Sequence, residues 1–137
     1  MGSEEIDRDV CKLVHGLART LDGHVRRVAD TMGLTPSQVV ALRELSEPIT
    51  ARELAARMAC EASNATFVLD RLEERGLLKR HPHPTDRRAK QIVLTAAGLQ
   101  RREEALKLLG DGSPLGSLRA DQQEALRDLL KALSAEA

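Results

Sequence analysis

The stretch covering residues 77–98 constrains the fold of this chain more than any other part of the sequence. Two β-prone runs, Leu77–Arg80 and Lys90–Leu94, flank a polar loop that carries Arg87 and Arg88. The loop also contains prolines at 82 and 84, which fix φ, remove two backbone donors and cannot extend the strand pairing. We therefore predict a stiff β-hairpin that holds two guanidinium groups in water, where they suit a negatively charged groove.

The composition predicts one globular domain with an aliphatic core. The chain has 137 residues, of which 42% are hydrophobic and 31% are charged, and this length suits a single domain. It contains one Phe and neither Trp nor Tyr, so Leu, Val, Ala, Ile and Met must form the core. Such a core suits helices.

Several classes of function are disfavoured by what the sequence contains. No apolar run approaches the ~20 residues needed to span a bilayer, so we expect a cytoplasmic protein without membrane contact. In that reducing compartment Cys11 and Cys60 should both be thiols. The sequence shows no acid pair, no Ser/His/Asp arrangement and no glycine-rich phosphate loop, so we expect no enzymatic activity and no cofactor.

The charge of the chain is balanced overall but unevenly distributed. The 21 basic residues equal the 21 acidic residues, yet residues 71–102 contain nine basic residues against three acidic ones. A local basic patch is typical of a surface that binds phosphates. A solvated surface with uneven charge is the alternative.

Hydrophobic periodicity and capping residues predict six helices. Apolar residues recur every three or four positions through the first helix, and glycines end the first and fourth helices. Capping boxes at Thr35–Gln38 and Thr50–Glu53 begin the second and third helices, while Thr95 with Gly98 begins the fifth. A Gly/Pro-rich break separates the last two helices. The predicted bounds are about Glu4–Thr31, Thr35–Ser46, Thr50–Ala59, Glu61–Arg75, Thr95–Leu109 and Asp121–Leu133, with the break at 110–116.

The third and fourth helices, joined by a tight turn at about Ala59–Glu61, predict a helix-turn-helix. Helical spacing turns one side of the fourth helix inward, namely Ala65, Val68, Leu69 and Leu72. The outward side carries Ser63, Asn64, Phe67 and Arg71. Short polar side chains at a helix start can approach base edges, and an apolar group can meet a thymine methyl. Phe67 could instead pack under the hairpin.

The terminal helices have broader apolar faces than the small middle part needs. An apolar face left over usually finds a partner, and a second copy of the chain would give a two-fold dimer. The alternative is that the two helices pack on each other within one chain. We favour the dimer, because a reader of palindromic DNA also requires one.

Five motifs in order resemble the MarR family of transcriptional regulators over nearly the whole chain. They are Leu34–Gln38, Arg52–Ala55, Leu69–Leu77, Asp86–Arg88 and Leu94–Gly98. The resemblance implies a mainly α fold with a small β-hairpin wing, that is, a winged helix-turn-helix with long terminal dimerisation helices. Residues 1–137 would form one domain, in which 1–34 and 99–137 dimerise and 35–98 bind DNA.

The resemblance also implies the function and the DNA contacts. It implies a homodimeric repressor that binds a palindromic operator, with the fourth helix in the major groove and the wing in the minor groove. Arg88 would enter the minor groove, oriented by Asp86, and groups at helix starts would hold phosphates. The predicted contacts are Thr35, Ser37, Thr50, Arg52, Ser63, Asn64, Thr66, Phe67, Arg71, Arg75, Asp86, Arg87, Arg88 and Lys90.

Many members of the family release DNA when a small organic ligand binds between the dimer and DNA-binding parts. By resemblance, His15 and Arg19 of the first helix, Val39 and Arg43 of the second, and the fifth helix would line that pocket. The chain departs from the family pattern at Phe67, where an arginine or polar residue is common. It also departs at the break, which shortens the fifth helix.

Three alternatives remain open at the level of sequence. Cys11 lies near the place of the peroxide-sensing cysteine of one family branch, but that branch supports its thiolate with tyrosines. A buried structural thiol is the commoner case, so we predict no redox role for Cys11. His81 and His83 lack the spacing of a zinc site, and we expect them to be exposed and to face phosphates. The third alternative is a winged-helix module that binds protein instead of DNA.

Overall fold

A computed structural model describes residues 2–59 and 62–134. The described part is mainly helical, with one small antiparallel sheet. None of its helices carries an apolar stretch long enough to cross a membrane. The elements in chain order are α1 (Ser3–Met32), α2 (Pro36–Glu44), β1 (Ile49–Thr50), α3 (Ala51–Met58), α4 (Ala62–Glu74), β2 (Leu78–Pro82), β3 (Lys90–Leu94), α5 (Ala96–Gly110), a 3-10 helix (Pro114–Ser117) and α6 (Ala120–Ser134).

The helix boundaries follow the capping residues in the sequence. Gly33 ends α1 in the left-handed conformation at φ 67°, which a glycine adopts without steric cost. The hydroxyl oxygens of Thr35 and Thr50 accept from the backbone N–H groups of Gln38 and Glu53, which completes both predicted capping boxes. The helix predictions are confirmed to within a few residues at each end.

The helix-turn-helix is formed by α3 and α4. α3 ends at Met58, and Ala59 follows in the left-handed conformation at φ 55°. The remainder of the predicted turn, Cys60 and Glu61, lies outside the described residues.

The sheet differs from the predicted hairpin in two ways. It has three strands in the order β1-β3-β2, because Ile49 of β1 pairs with Ile92 of β3. A strand of two residues has too little alternation to be found in the sequence. The expectation that the loop prolines lie outside the strand pairing is wrong for Pro82, which ends β2 opposite Lys90. At a strand end proline is tolerated, because the backbone donor is dispensable there.

Two hydrophobic cores organise the protein, and α2 contributes to both. The first, which we call the α2–α3–α4 core, also contacts the sheet and includes Leu54, Leu69, Leu72 and Ile92. The second, which we call the α1–α2–α5 core, contains Val28, Ala29, Met32, Leu34, Val39, Leu42 and Ala105. Ala41 packs in the first core and its neighbour Leu42 in the second, so α2 joins the two parts.

The start of α5 packs closely on the beginning of the hairpin. Thr95 caps α5 by accepting from the Gly98 N–H at 3.0 Å, and its own hydroxyl donates to the Gly76 carbonyl at 2.7 Å. A Cβ atom at Gly98 would lie 1.9 Å from the Leu77 carbonyl oxygen, so only glycine fits. The predicted break after α5 is confirmed, and it contains the 3-10 helix.

Candidate nucleic-acid interface

The wing, which we define as residues 78–94, is closed by hydrogen bonds within its own tip. The His83 N–H donates to the Ala89 carbonyl and the Ala89 N–H donates to the Asp86 carbonyl, each at 3.2 Å. Oδ1 of Asp86 accepts from the backbone N–H of Arg88 at 3.0 Å. Asp86 was expected to orient the Arg88 guanidinium, but the bond in the structure goes to the Arg88 main chain. The carboxylate therefore fixes the backbone from which that side chain projects.

His83 is a wing residue whose role the sequence analysis missed. Its Nδ1 accepts from the backbone N–H groups of Thr85 at 3.2 Å and Asp86 at 3.1 Å. The ring is half-buried, so the expectation that His83 is exposed is wrong, and its Nδ1 is used within the wing. The only local sequence signal for this role is weak. It is that a histidine precedes by two and three residues the backbone N–H groups from which it accepts. His81, in contrast, is exposed as expected.

The wing presents cations that the protein itself does not neutralise. Arg87, Arg88 and Lys90 are exposed, and within the described residues their side chains form no hydrogen bond or ion pair. Asp86 is the acidic residue closest to them in sequence, and its Oδ1 is occupied by the Arg88 N–H. The wing tip is therefore the part of the basic segment best able to bind an anion.

Most other arginines of the basic segment are bound to groups of the protein. Arg80 pairs with Asp70 at 2.8 Å and with Glu73 at 2.5 Å, and only 20% of its side chain is exposed. The Nη1 of Arg75 donates to the Gly33 carbonyl at 3.2 Å, so the structure gives this predicted phosphate contact a structural partner. The adjacent Arg101 and Arg102 also donate to backbone carbonyls. The charge count of the segment therefore overstates the basic patch.

The outer face of α4 carries the side chains expected to read bases. Asn64, Thr66, Phe67 and Arg71 are exposed, while the inward residues Ala65, Val68, Leu69 and Leu72 are buried as predicted. The Ser63 side chain lies outside the described residues. Phe67 is 60% exposed, which contradicts packing under the wing.

Arg71 is held over the ring of Phe67. Its guanidinium carbon lies 4.9 Å from the ring centroid, within cation–π range. Its Nη1 also pairs with Glu74 at 2.9 Å, one turn along α4. The pair therefore forms a flat apolar surface with a cation on it, on the face that carries Asn64.

The helix-start residues differ in their freedom to contact phosphate. Ser37 and Arg52 are exposed. The Thr35 hydroxyl accepts from the Gln38 N–H and keeps its own proton for a further acceptor. The Thr50 hydroxyl accepts from the Glu53 N–H and also donates to Oε1 of Glu53 at 3.1 Å, so its proton is already used.

The Glu53 carboxylate is stabilised by the same contact. The Thr50 backbone N–H and then the Thr50 hydroxyl lower the pKa of Glu53 below its ordinary value of 4.5, with smaller contributions from Arg57 and His83. An ionised carboxylate therefore lies at the start of α3. Thr50 is better explained as a helix cap than as a phosphate contact.

The four predicted pocket residues lie in different environments in the protomer. His15 and Arg19 lie on the exposed surface of α1, Val39 is fully buried in the α1–α2–α5 core, and Arg43 pairs with Glu44 at the surface. A cavity of about 450 Å³ instead lies between α1, α2, α3 and α4. It is lined by Asp22, Val25, Arg26, Pro36, Ser37, Val40, Met58, Asn64, Phe67 and Val68.

Cys11 lies on the surface of α1 and not in a core. Its side chain is exposed, so the expectation of a buried thiol is wrong for the protomer. Its recorded partner is Oδ2 of Asp7 at 4.0 Å, a carboxylate and not the cation that supports a reactive thiolate. Among the residues described, no group of three or more His, Cys, Asp or Glu side chains could hold a metal ion.

Comparisons with known proteins connect this geometry to DNA-binding regulators. The family model described as "MarR family" matches residues 34–90, which run from the start of α2 through the wing tip. The organic hydroperoxide resistance transcriptional regulator of Bacillus subtilis is 27% identical over 131 residues, which cover 94% of this chain and 87% of that protein.

Solved structures share the whole architecture. A cysteine-to-serine mutant of Escherichia coli MarR complexed with operator DNA has a TM-score of 0.73 and 25% identity, covering 97% of this chain and 99% of that one. CouR from Rhodococcus jostii RHA1 bound to p-coumaroyl-CoA has a TM-score of 0.81 and 28% identity, covering 91% of both chains. The fold is therefore shared from the first helix to the last.

Proposed function

We propose that this chain is a winged helix-turn-helix transcriptional regulator of the MarR family, which binds a palindromic operator as a homodimer and represses transcription. Its similarity to this family supports a DNA-binding regulator and not an enzyme. The palindrome, the dimer, the repression and the control by a ligand are proposed here. Binding chromosomal DNA would place the protein in the cytoplasm.

The observation that carries the proposal is the free positive charge of the wing. Arg87, Arg88 and Lys90 are exposed and form no contact within the described chain, whereas Arg75, Arg80 and the Arg101–Arg102 pair bind protein groups. Arginine inserted into a narrow minor groove gains from its enhanced negative potential. Arg88→Ala should therefore weaken operator binding more than Lys90→Ala, because it removes a groove contact as well as a charge.

The outer face of α4 would read the major groove. Asn64 can bind adenine bidentately, and the exposed ring of Phe67 can meet a thymine methyl. Arg71, stacked on that ring, can reach a guanine or a phosphate without first being ordered. This face is proposed as the source of sequence preference, and the wing as the source of affinity.

Unpartnered apolar faces on the terminal helices support a homodimer. α6 has 15 residues and none of the described ones is buried, although a helix of this length is marginal without packing. The buried residues of α1 begin only at His24, so its first turns project from the core of the protomer. The exposed apolar residues of these two helices are Ile6, Val10, Leu13, Val14, Leu129, Leu130 and Leu133. We propose that residues 1–34 and 99–137 dimerise and that residues 35–98 bind DNA.

A charged substitution on these faces tests the dimer. Leu133→Glu should convert the dimer to a monomer in sedimentation equilibrium and abolish operator binding, because the two DNA-binding parts are then no longer linked. Ala97→Glu is the control and should remain a dimer, since Ala97 is also exposed but lies outside both proposed dimerisation segments. A dimeric Leu133→Glu variant would contradict this assignment of the interface.

We propose that a small organic molecule controls binding from the cavity between α1 and α4. Its volume of about 450 Å³ lies in the range of small-ligand sites, and Asp22 and Arg26 supply charged groups at an otherwise mostly apolar wall. Asn64 and Phe67 line the cavity and also belong to the proposed reading face. A ligand there would disturb the side chains that contact bases. It would therefore bind the DNA-free protein more tightly than the DNA-bound protein, and release of DNA requires this difference in affinity.

A ligand screen with a blocked cavity tests this mechanism. Simple aromatic acids and p-coumaroyl-CoA, the ligand of the similar protein CouR, are the first probes. Val40→Trp fills the cavity from α2 and should imitate the bound ligand, so its operator affinity should be lower and the remaining binding should no longer respond to the probes. Release that persists in this variant would place the ligand elsewhere, for example between α1, α2 and α5 as the sequence suggested.

Similarity to a hydroperoxide resistance regulator favours a second function, peroxide sensing through Cys11. The exposed thiol is accessible to oxidant, but its recorded partner is the Asp7 carboxylate and the chain contains no tyrosine. We therefore expect Cys11→Ser to behave like the parent protein when operator binding is measured under organic hydroperoxide. Oxidant-driven release that vanishes in Cys11→Ser would make peroxide the signal.

A further inference from the structure

Adjacent arginines near the start of α5 bind the ends of two different helices. The Nη2 of Arg101 donates to the carbonyl of Met32, the last residue of α1. Arg102 donates from Nε to the Leu42 carbonyl at 3.1 Å and from Nη2 to the Arg43 carbonyl at 3.2 Å, both in the last turn of α2. One dipeptide therefore joins a proposed dimerisation helix to a helix of the DNA-binding part.

Two of the three carbonyls that these arginines bind, those of Met32 and Arg43, accept no backbone N–H within the described residues, whereas the Leu42 carbonyl also accepts from the Leu45 N–H at 3.3 Å. The last four carbonyls of an α-helix lack an intrahelical donor, and they carry the negative end of the helix dipole. The last turn of α1 contains no basic residue of its own. Arg101 supplies the missing cation from another element, so its contact is favoured by charge as well as by hydrogen bonding.

A third arginine links α4, the proposed recognition helix, to the end of α1. Arg75 directly follows α4, and its Nη1 donates at 3.2 Å to the carbonyl of Gly33, which directly follows α1. The end of α1 is therefore bound from α5 by Arg101 and from the end of α4 by Arg75. Movement of α1 relative to α4 would break these bonds.

Apolar packing alone would fix the orientation of these helices less strictly. The α1–α2–α5 core contains small and aliphatic side chains such as Ala29, Val39 and Ala105. Hydrophobic burial is non-directional, so it constrains the angle between these helices less than hydrogen bonds do. A planar guanidinium with a fixed fork of donors sets direction as well as distance. The arginine bonds, together with the 2.8 Å contact between His24 Nε2 and the Leu109 carbonyl, are therefore the directional part of this junction.

We propose that Arg101 and Arg102 are positioning residues that set the separation of the two recognition helices in the dimer, and hence the half-site spacing that the protein prefers. The inference rests on the proposed homodimeric operator binding. Dimeric helix-turn-helix proteins bind half-sites about one helical turn apart, so a change of angle at the α1–α2 junction changes which spacing fits. Neither residue needs to contact DNA for this effect.

The test compares single half-sites with palindromes of varied spacing. Wild type, Arg101→Gln and Arg102→Gln are titrated with a duplex that carries one half-site of a selected operator, and with palindromes lengthened or shortened by single base pairs. We expect unchanged half-site affinity, roughly tenfold weaker binding to the best palindrome, and a broader spacing optimum in both variants. Arg43→Gln removes the same charge from an exposed side chain paired with Glu44, keeps the Arg43 carbonyl that Arg102 binds, and should match wild type in every titration.

Conservative variants separate positioning from charge and from folding. Arg101→Lys and Arg102→Lys keep the charge but lose the planar fork, so their spacing profiles should lie between those of wild type and the glutamine variants. If circular dichroism shows that a glutamine variant does not fold, the corresponding lysine variant is used to test the proposal.

Each contrary result has a distinct meaning. Equal losses on half-site, palindrome and random DNA, with a salt slope reduced by about one, would make the arginines phosphate contacts and overturn the proposal. Spacing profiles identical to wild type would also overturn it, while leaving the operator reader intact. A wild-type protein without any spacing preference would overturn the proposed function itself, and the positioning role with it.

Discussion

The backbone N–H of Arg88 donates a 3.0 Å hydrogen bond to Oδ1 of Asp86, so the carboxylate holds the main chain from which the guanidinium projects. This contact explains how an acidic residue can assist a DNA-binding loop. It removes no charge from Arg88, whose side chain forms no bond within the described residues.

Substitutions at Asp86 separate backbone capping from charge. Asp86→Ala should weaken operator binding about three- to tenfold, because the turn loses its acceptor although a negative charge is removed. Asp86→Asn should bind at least as tightly as the parent, since the amide oxygen can still accept from the Arg88 N–H. Fluorescence anisotropy with labelled operator measures both. Tighter binding by Asp86→Ala would show that simple electrostatics governs the wing.

His83 should support DNA binding because its ring nitrogen accepts hydrogen bonds, and not because it carries a charge. His83→Leu removes the acceptor for the Thr85 and Asp86 N–H groups, so we expect faster amide exchange at both and about three- to tenfold weaker DNA binding. His83→Asn should retain most of the affinity, because its side-chain oxygen can accept from the same donors.

The neighbouring histidine provides the matched control. His81→Leu should change amide exchange and affinity little, since His81 is exposed and its side chain forms no hydrogen bond or ion pair within the described residues. Equal losses in His81→Leu and His83→Leu would mean that the ring contacts at the wing tip are irrelevant to binding.

We expect α4 to determine the base preference and the wing to bind phosphates. Asn64→Ala should relax the preference at one position of each half-site by about 1–3 kcal/mol. Lys90→Ala should weaken binding to all sequences alike and reduce the salt slope by about one. Competition titrations with specific and random duplexes at several salt concentrations measure both effects. An equal loss on both duplexes in Asn64→Ala would remove Asn64 from the reading surface.

The α3 capping box should make part of the stability depend on pH. Thr50 lowers the pKa of Glu53 in the folded protein, so the resulting stabilisation is present above the ordinary value of 4.5 and is lost as pH falls through the lowered value. Glu53→Gln should reduce the free energy of unfolding at pH 7 and much less at pH 3, as measured by urea denaturation. Glu103→Gln should show no such trend, since Glu103 is exposed and forms no ion pair with another described residue. A pH-independent difference for Glu53→Gln would contradict the assigned cause.

Local signals predicted the helices and the wing well. Thr35, Thr50 and Thr95 each begin a helix, as their hydroxyls and the following residues indicated. Capping is decided within four residues, so one stretch of sequence contains the whole interaction. The inward residues of α4 followed from helical spacing for the same reason.

Contacts between distant residues could not be predicted in this way. The bond from Arg75 to Gly33, and those from Arg101 and Arg102 to the ends of α1 and α2, join residues far apart in sequence. In the sequence each of these arginines is simply a positive charge, so the basic segment was counted as one patch. The short strand β1 was missed because its pairing with β3 depends on the tertiary fold.

Selection of bound sequences from a pool of random duplexes tests the central claim most directly. The purified full chain is incubated with the pool at near-physiological salt, and bound duplexes are recovered, amplified and sequenced over several rounds. We expect one enriched motif with two-fold symmetry, whose half-sites have centres about 10–10.5 base pairs apart. Enrichment of an asymmetric or single half-site, or no enrichment at all, would contradict a homodimeric reader of a palindromic operator.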